Sequence, residues 1–243
     1  MEPMDALKKP GIMAKLRNSK GFSLIEMAIV LVIIGIIVAA IIKGQDLMFN
    51  SRAKQLVSTA NSWKIAAFAY MDRNGNFPGD SGKNGVIGDT GELADTVTAV
   101  AEIASTLSNA PANPVMIGGQ SYWFYFGNVV ASVGTRNVIV ICPSVDCKTA
   151  LAPDDVEMFK ALDTAIDGSA DAGVGQLRGI KFAGAHLLAT QLSAATGGRA
   201  NNVAVLFAND VEDVTSTGAA TGKPWTVLTP FQYGAVWAFD KQF

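Results

Sequence analysis

The stretch KGFSLIEMAIVLVIIGIIVAAII, residues 20–42, is almost wholly apolar, and the rest of the chain is organised around it. A helix of this length, which rises about 1.5 Å per residue, crosses a hydrocarbon core of about 30 Å. A secretory signal peptide is the alternative, but its apolar core covers only about 7 to 15 residues before a small-residue cleavage site. Here the run is longer, and the basic segment ahead of it ends in Gly21. The stretch therefore predicts a membrane-spanning helix over residues 22–42.

Glu26 is the one charged residue between Phe22 and Ile42, and it lies a single turn from the start of the predicted helix. A carboxylate at mid-membrane costs about 2.5 to 3.5 kcal/mol on insertion scales, and less near an interface. Two interpretations stay open on the residues alone. Either Glu26 lies shallow among the lipid headgroups, or it pairs with a cation that another chain supplies.

The segment KGFSLIEMAIVLVIIG resembles the N-terminus of the type IV pilin and pseudopilin superfamily, with its class III prepilin leader. The shared features are basic residues, a glycine, a phenylalanine that opens the apolar helix, and a glutamate four residues later. The resemblance implies that prepilin peptidase cuts between Gly21 and Phe22 and methylates the new N-terminus at Phe22. It also implies that Glu26 of one subunit pairs with the Phe22 amine of a neighbour and so sets the register of a helical filament.

The same resemblance bears on how neighbouring helices pack. Small residues, which let membrane helices approach closely, recur along the run: Ala28, Gly35, Ala39 and Ala40. Many type IVa pilins carry a proline near the end of this run, whereas Lys43 and Gly44 follow Ile42 here. A mid-helix kink is therefore not expected on that ground, although Gly44 weakens a helix.

Charge is unevenly distributed ahead of the apolar run. Only two acids, Glu2 and Asp5, accompany a larger set of basic residues: Lys8, Lys9, Lys15, Arg17 and Lys20. Basic flanks stay on the cytoplasmic side, so we expect a single-pass protein whose head lies across the membrane. The family resemblance implies that this membrane is the inner membrane and that the head is periplasmic. After assembly it would lie in a pilus on the cell surface or in a periplasmic pseudopilus.

Four regions are expected along the chain. They are a prepilin leader at residues 1–21, a transmembrane or filament-core helix at 22–42, an amphipathic continuation at 43–72 and a globular pilin-like head at 73–243. Beyond Gly44 the apolar residues follow a 3.6-residue period: Phe49, Ala53, Leu56, Val57, Ala60, Trp63, Ala67, Tyr70 and Met71. This pattern predicts one helix from Phe22 to about Met71, with Trp63 and Tyr70 facing a core.

The fold class predicted is α+β: a long N-terminal helix spine, hydrophobic in its first half, packed on a C-terminal head with an antiparallel sheet. A helix is expected at residues 92–108, its apolar face made of Leu93, Val97, Val100, Ala104 and Leu107. SYWFYFGNVVAS and RNVIVICPS, parted by Gly134, predict an antiparallel strand pair. A further helix is expected at 154–166, after Pro153. Closing strands are expected at 202–208 and 225–240, with TSTGAATGKP as a mobile connector.

Two cysteines, Cys142 and Cys147, lie close together in the short segment ICPSVDC. If the head is exported, the oxidising environment favours a disulfide, and two free thiols are the alternative. A zinc site is disfavoured because His186 is the only histidine and zinc takes four N or S ligands.

One loop, DRNGNFPGDSGKNGVIGDTGE, carries oxygen-rich side chains. The spacing of Asp72, Asn74, Asn76 and Asp80 makes calcium a candidate ligand, because calcium takes six to eight oxygens in flexible geometry. The spacing does not match an EF-hand, and a hydrogen-bonded turn is the alternative. No other cofactor is expected.

No constellation for catalysis assembles from the sequence, so we do not expect an enzyme. His186 lies in GAHLLAT without partners for a triad, and Asp163 and Asp167 favour a solvated helix face over a metal or glycosidase site. The net charge of −2 gives no reason to expect nucleic acid as a partner.

The resemblance to the type IV pilin and pseudopilin superfamily implies a structural filament subunit, a type IV prepilin whose length suits a minor pilin. The expected partners are prepilin peptidase, identical or related pilin subunits, and inner-membrane assembly machinery. One alternative is a pseudopilin of a type II secretion system. Another, from a different class, is a membrane-anchored periplasmic enzyme or binding receptor.

Overall fold

The computed structural model describes residues 21–89, 92, 98–131, 134–183, 205–207, 210–212, 223–227 and 232–240. Over these residues the chain forms three helices and six strands, which make the predicted α+β fold. Contacts within the chain divide it into two compact units, and the division falls inside the first helix, between Leu47 and Met48.

The first helix, α1, spans Leu24–Asn74 and continues through Gly44. Its second half buries one face: Ala53, Leu56, Ala60, Trp63, Ala66 and Ala67. Residues three and four apart lie on one side of a helix, so this is the face that the 3.6-residue pattern predicted. Trp63 is fully buried, and Tyr70 packs against the same core, so both face a core as predicted.

The strands are β1 (Val115–Ile117), β2 (Gln120–Ala131), β3 (Gly134–Cys142), β4 (Leu177–Gly179), β5 (Val205–Phe207) and β6 (Ala235–Ala238). The order in the sheet is β1-β2-β3-β6-β4, and each of these neighbouring pairs is antiparallel. β5 pairs with β2 in the parallel direction. The predicted pairing of β2 with β3 is confirmed, with Gly134 opposite Ala131 at the turn.

Both faces of the two central strands are buried. The rings of Phe124 and Phe126 lie 6.1 Å and 6.0 Å from Trp63, measured between ring centroids. Tyr125 points to the other face, where it packs in a second cluster with Val138 and Val140. Strands covered on both faces read as near-continuous apolar runs, which explains why β2 and β3 were recognisable in the sequence.

The second helix, α2, spans Ala99–Thr106 and is shorter than predicted. Its buried residues are Ala99 and Ile103, whereas Ala104, assigned to the buried face, is exposed. The assignment of Ala104 to the buried face was wrong, because Ala99 and Ile103 define that face and the helix ends before Leu107, whose backbone is extended. Residues 93–97 of the predicted helix lie outside the described residues.

The third helix, α3, spans Pro153–Asp167, as predicted. The closing strand predicted at 225–240 is wrong over much of its length, because β6 is short and residues 225–227 are not in a strand. Trp225 instead stacks on Phe159 with ring centroids 5.5 Å apart, and the Thr226 backbone N–H donates to Gln232 Oε1 at 2.9 Å. Side-chain contacts and a backbone hydrogen bond from Ala172 to Lys223 hold segment 223–227, which is not in a strand.

The short strands β1 and β4 were not predicted, since three residues are too few to display an alternation. β5 lies in the second half of the strand predicted at 202–208. The rest of that prediction, His186, and the connector TSTGAATGKP up to residue 222 lie outside the described residues.

Candidate assembly site at the start of the first helix

The start of α1 is closed by a reciprocal pair of hydrogen bonds between Ser23 and Glu26. The backbone N–H of Glu26 donates to Ser23 Oγ at 3.2 Å, and the backbone N–H of Ser23 donates to Glu26 Oε2 at 3.5 Å. This arrangement is a capping box, which satisfies N–H groups that the first turn of a helix leaves unpaired. Glu26 therefore has a partner within its own chain that the sequence analysis missed, although the Ser-x-x-Glu spacing signals it.

Glu26 also lies in the first turn of α1, at the end of the helix where the dipole favours negative charge. A carboxylate in the first turn of a helix is stabilised by the helix dipole, typically by about 0.3 to 1 kcal/mol. The side chain nevertheless stays exposed, and the contact to Ser23 is long. The carboxylate is thus held in place by its own helix and remains accessible to a group from another molecule.

The bond between Gly21 and Phe22, the predicted cleavage site, lies in non-helical backbone just ahead of α1. Phe22 is 72% exposed. A Cβ built on Gly21 meets nothing within 4 Å in the described part of the chain. Folding of the described residues therefore does not require glycine at this position.

The first half of α1 is apolar on all sides and exposed along its whole length. Leu24 is 92% exposed, and the most apolar stretch of the helix has no buried residue. Among the described residues, α1 is the one helix long and apolar enough to cross a membrane by length and composition. Gly35 is open, with space for a neighbouring atom beside it.

A disulfide joins Cys142, the last residue of β3, to Cys147, as predicted. Their Cα atoms are 5.3 Å apart, and both residues are fully buried. Tyr125 reinforces the loop, because its hydroxyl donates to the backbone oxygen of Val145. The bond closes a small loop at the end of a central strand.

The candidate calcium ligands lie at the end of α1 and in the loop after it: Asp72, Asn74, Asn76 and Asp80. The amide of Asn74 donates to the backbone oxygen of Tyr70 at 3.1 Å. The amide of Asn76 donates to the backbone oxygen of Asp80 at 2.6 Å. Both amide groups therefore act as donors within the chain.

The carboxylate of Asp80 is buried and accepts two backbone N–H groups. Oδ1 accepts from Asn84 at 3.1 Å, and Oδ2 accepts from Gly85 at 2.9 Å. In the part of the chain that the structure describes, no group of three or more His, Cys, Asp or Glu side chains is arranged to hold a metal ion. These contacts favour the hydrogen-bonded turn, and calcium binding at this loop stays a prediction.

Asp163 does not lie on a solvated helix face, so that expectation is wrong. The residue is fully buried on α3, and its Oδ2 accepts from Trp225 Nε1 at 2.9 Å and from the Asp171 backbone at 2.6 Å. Burial raises the pKa of Asp163 to about 7, Asp167 adds to the rise, and the two hydrogen bonds oppose it. Trp225, which is distant in sequence, donates a hydrogen bond that satisfies part of this buried carboxyl group.

Residues 16–42 match the family model of the prokaryotic N-terminal methylation motif. This motif is the class III prepilin leader of type IV pilins and pseudopilins, and the match ends where the apolar run ends. It supports a type IV pilin-like or pseudopilin precursor, with processing by prepilin peptidase and assembly by pilin machinery. No curated protein and no solved structure matches the chain.

Proposed function

We propose that this chain is a structural filament subunit made as a prepilin. Prepilin peptidase removes residues 1–21, Phe22 becomes the methylated first residue, and the mature chain polymerises through the helix at residues 22–42. The observation that carries the proposal is the position of Glu26. It is the single charge in an exposed apolar stretch, and it lies inside the matched methylation motif.

Pairing of charges gives Glu26 its role in assembly. Cleavage at Phe22 creates an ammonium group, and Glu26 of a neighbouring subunit accepts it. An unpaired charge in a low-dielectric interior is costly, whereas a well-placed pair is tolerated, so only one axial register between subunits satisfies both groups. Before assembly, the capping box with Ser23 gives the carboxylate a backbone donor. Assembly therefore exchanges a weak local contact for an ion pair.

The surface of the first half of α1 suits helix packing. Its apolar residues are exposed, and its small residues leave room for close approach: Ala28, Gly35, Ala39 and Ala40. Lipid surrounds this surface before assembly, and the helices of neighbouring subunits replace the lipid afterwards.

The head belongs on the far side of the inner membrane from the basic leader, by the positive-inside rule. The Cys142–Cys147 disulfide supports that location, because disulfides persist in oxidising compartments such as the periplasm. The proposed regions are the leader at 1–21, the membrane or filament-core helix at 22–42, its amphipathic continuation at 43–72 and the head at 73–243.

The mature N-terminus tests the proposal directly. Mass spectrometry of protein purified from native membranes is expected to find an N-terminal peptide that begins at Phe22 and carries one added methyl group. Gly21→Val should abolish cleavage, and because a Cβ at Gly21 meets nothing in the described chain, the loss would report on the peptidase and not on folding. Gly44→Val, at another open glycine, is the matched control and should be processed normally.

An intact leader on assembled, functional protein would overturn the proposal in favour of a membrane-anchored enzyme or receptor. Two observations separate the finer alternatives once cleavage is established. Long surface fibres that contain this chain support a pilus subunit, whereas loss of secreted enzymes on deletion of the gene supports a pseudopilin of a type II secretion system.

A further inference from the structure

Two carboxyl groups meet on the inner side of α3. Asp163 and Asp167 lie four residues apart, a spacing that puts their side chains on the same side of a helix. Asp163 is fully buried, and its Oδ1 has no hydrogen-bond donor among the described residues. The Asp167 carboxyl group is near enough to raise the pKa of Asp163, and Asp167 Oδ2 accepts from the Leu177 backbone at 2.8 Å.

The loop after α3 faces this pair with a third acid, Asp171. Its backbone N–H donates to Asp163. Its own Oδ1 accepts from the Gly173 backbone at 3.0 Å and from the Lys223 backbone at 2.8 Å. Asp171 therefore organises the loop and segment 223–227, and it contacts the pair through its backbone N–H.

The basic groups on the neighbouring elements contact other atoms. Arg178, on β4, donates from Nε to the Gly175 backbone oxygen at 3.1 Å. From segment 223–227, the Lys223 backbone N–H donates to Asp171, and the Trp225 indole N–H donates to Asp163. Within the described part of the chain, neither Asp163 nor Asp167 forms an ion pair.

We propose that Asp163 and Asp167 share one proton, and that this carboxyl pair makes the attachment of segment 223–227 to α3 sensitive to pH. A buried carboxylate oxygen that faces a second carboxylate without a donor is repelled by it. One proton between the two groups supplies the missing donor and removes one of the two charges. The inference concerns the head alone and does not depend on how the N-terminus is processed.

The direction of the effect follows from proton binding. The folded state raises the pKa of Asp163 from 3.8 to about 7, so the folded state holds the proton more tightly than the unfolded state. Stability is then greatest at low pH and declines as the pH rises from about 4 through about 7. Across this range the folding equilibrium changes by at most about a thousand-fold on account of Asp163.

The contacts at risk above neutral pH are those that hold segment 223–227. Asp163 accepts the Trp225 indole, and Trp225 stacks on Phe159 of the same helix. The Ala172 backbone N–H donates to the Lys223 backbone oxygen at 2.7 Å. Ionisation of both acids would repel Asp163 from Asp167 and so displace the carboxylate that holds Trp225. The hydrogen bonds from Trp225 and Asp171 favour the ionised form of Asp163 and oppose this displacement.

The test is the pH dependence of thermal unfolding of the full chain in detergent between pH 4 and 9. The midpoint of the wild type should fall from pH 4 to about pH 7 and change little above that. Asp163→Asn replaces the protonated carboxyl with an amide, whose N–H₂ donates to Asp167 while its oxygen still accepts from Trp225. This variant should have a flatter profile and a midpoint above that of the wild type at high pH.

Two further variants keep the test decisive. Asp167→Asn should flatten the profile as well, which covers the case in which Asp163→Asn fails to fold. Glu157→Gln removes an exposed acid of the same helix and should keep the wild-type profile. Carboxyl carbon NMR of the wild type should show one aspartate pair titrating near neutral pH, and this titration should be absent from Asp163→Asn.

Either of two results would overturn the proposal. In one, both asparagine variants keep the pH profile of the wild type. In the other, calcium alone raises the wild-type midpoint at high pH and Asp163→Asn loses this response, in which case a cation and not a proton joins the two acids.

Discussion

The two halves of α1 form one continuous helix but differ in which of their residues are buried. From Leu24 to Ile42 the helix is apolar on every side and exposed throughout. Between Ala53 and Ala67 it has one apolar stripe, and that stripe is buried in the head. A striped helix needs one partner surface, whereas a helix that is apolar all round needs a membrane or several other helices. The second half finds its partner in its own chain, and the first half must find it elsewhere.

The acids in the two regions differ in the same way. Asp163 is buried in the head among groups of its own chain, and Trp225 donates to it. Glu26 is exposed, and its one contact with the described part of the chain is the local one with Ser23. An acid whose partners are internal contributes to folding, while an acid left open on an apolar surface is suited to intermolecular pairing.

The largest effect is expected from removing the single charge of the first half. Glu26→Val increases the hydrophobicity of the segment, so membrane insertion should continue, but the neighbouring Phe22 amine loses its acceptor and filaments should not form. Membrane fractionation and electron microscopy measure the two outcomes separately. Asp46→Ala, at an exposed acid beyond the apolar run, should assemble normally. Normal filaments from Glu26→Val would refute the pairing.

The next prediction compares truncations in the two halves. Trp63→Ala should lower the free energy of unfolding of the head by about 3 to 5 kcal/mol, because it leaves a large cavity against Phe124 and Phe126. Ile33→Ala, at an exposed site, should change that free energy by less than about 0.5 kcal/mol. Urea unfolding in detergent, followed by near-ultraviolet circular dichroism, measures both. Similar losses from the two substitutions would contradict the contrast.

A smaller effect is expected from the disulfide. The chain-entropy model assigns about 2 kcal/mol to a bond that closes a loop this short, and Cys142 and Cys147 are separated by 5 positions. The double variant Cys142→Ser, Cys147→Ser should lower the urea midpoint of the head by the corresponding amount. Filament formation by the first half should be affected only through the loss of folded head. An unchanged midpoint would show that the bond adds nothing to stability.

The smallest effect is expected at the helix cap. Ser23→Ala removes the acceptor for the Glu26 backbone N–H and should cost about 1 kcal/mol, confined to the first turn. Amide hydrogen exchange in detergent should be faster at Glu26 and unchanged in the head. Ser51→Ala, within α1, is the matched control. Unchanged exchange at Glu26 in the Ser23 variant would contradict the capping box.

Local patterns in the sequence predicted the elements that are long or strongly periodic. The two hydrophobic patterns of α1, the central strands and α3 are each encoded within one continuous segment. The disulfide was predictable because Cys142 and Cys147 are close in sequence. The capping partner Ser23 was encoded locally too, and its spacing to Glu26 is a recognised helix-start signal.

Features that depend on distant partners were missed. Trp225 was assigned to a strand and Asp163 to a solvated face, yet the two residues bond across 62 positions in sequence. The loop that holds Ile87 is likewise anchored by distant side chains: Asn128 donates to its backbone oxygen and Asn137 accepts its N–H. When the partner of a polar residue is this distant in sequence, the neighbouring residues give no sign of it, and the polar residue is predicted to lie on the surface.

The sequence by itself determined that one segment is apolar enough to leave water, that Glu26 is the sole charge in it, and that a methylation motif surrounds both. These properties lie within consecutive residues, and they need no fold to be read. Only the tertiary structure decided which acids are buried, because burial depends on packing between segments that are distant along the chain. Packing between distant segments buries Asp163, which the sequence placed on the surface, beside Asp167. Glu26 stays exposed because no surface of the described chain packs against it.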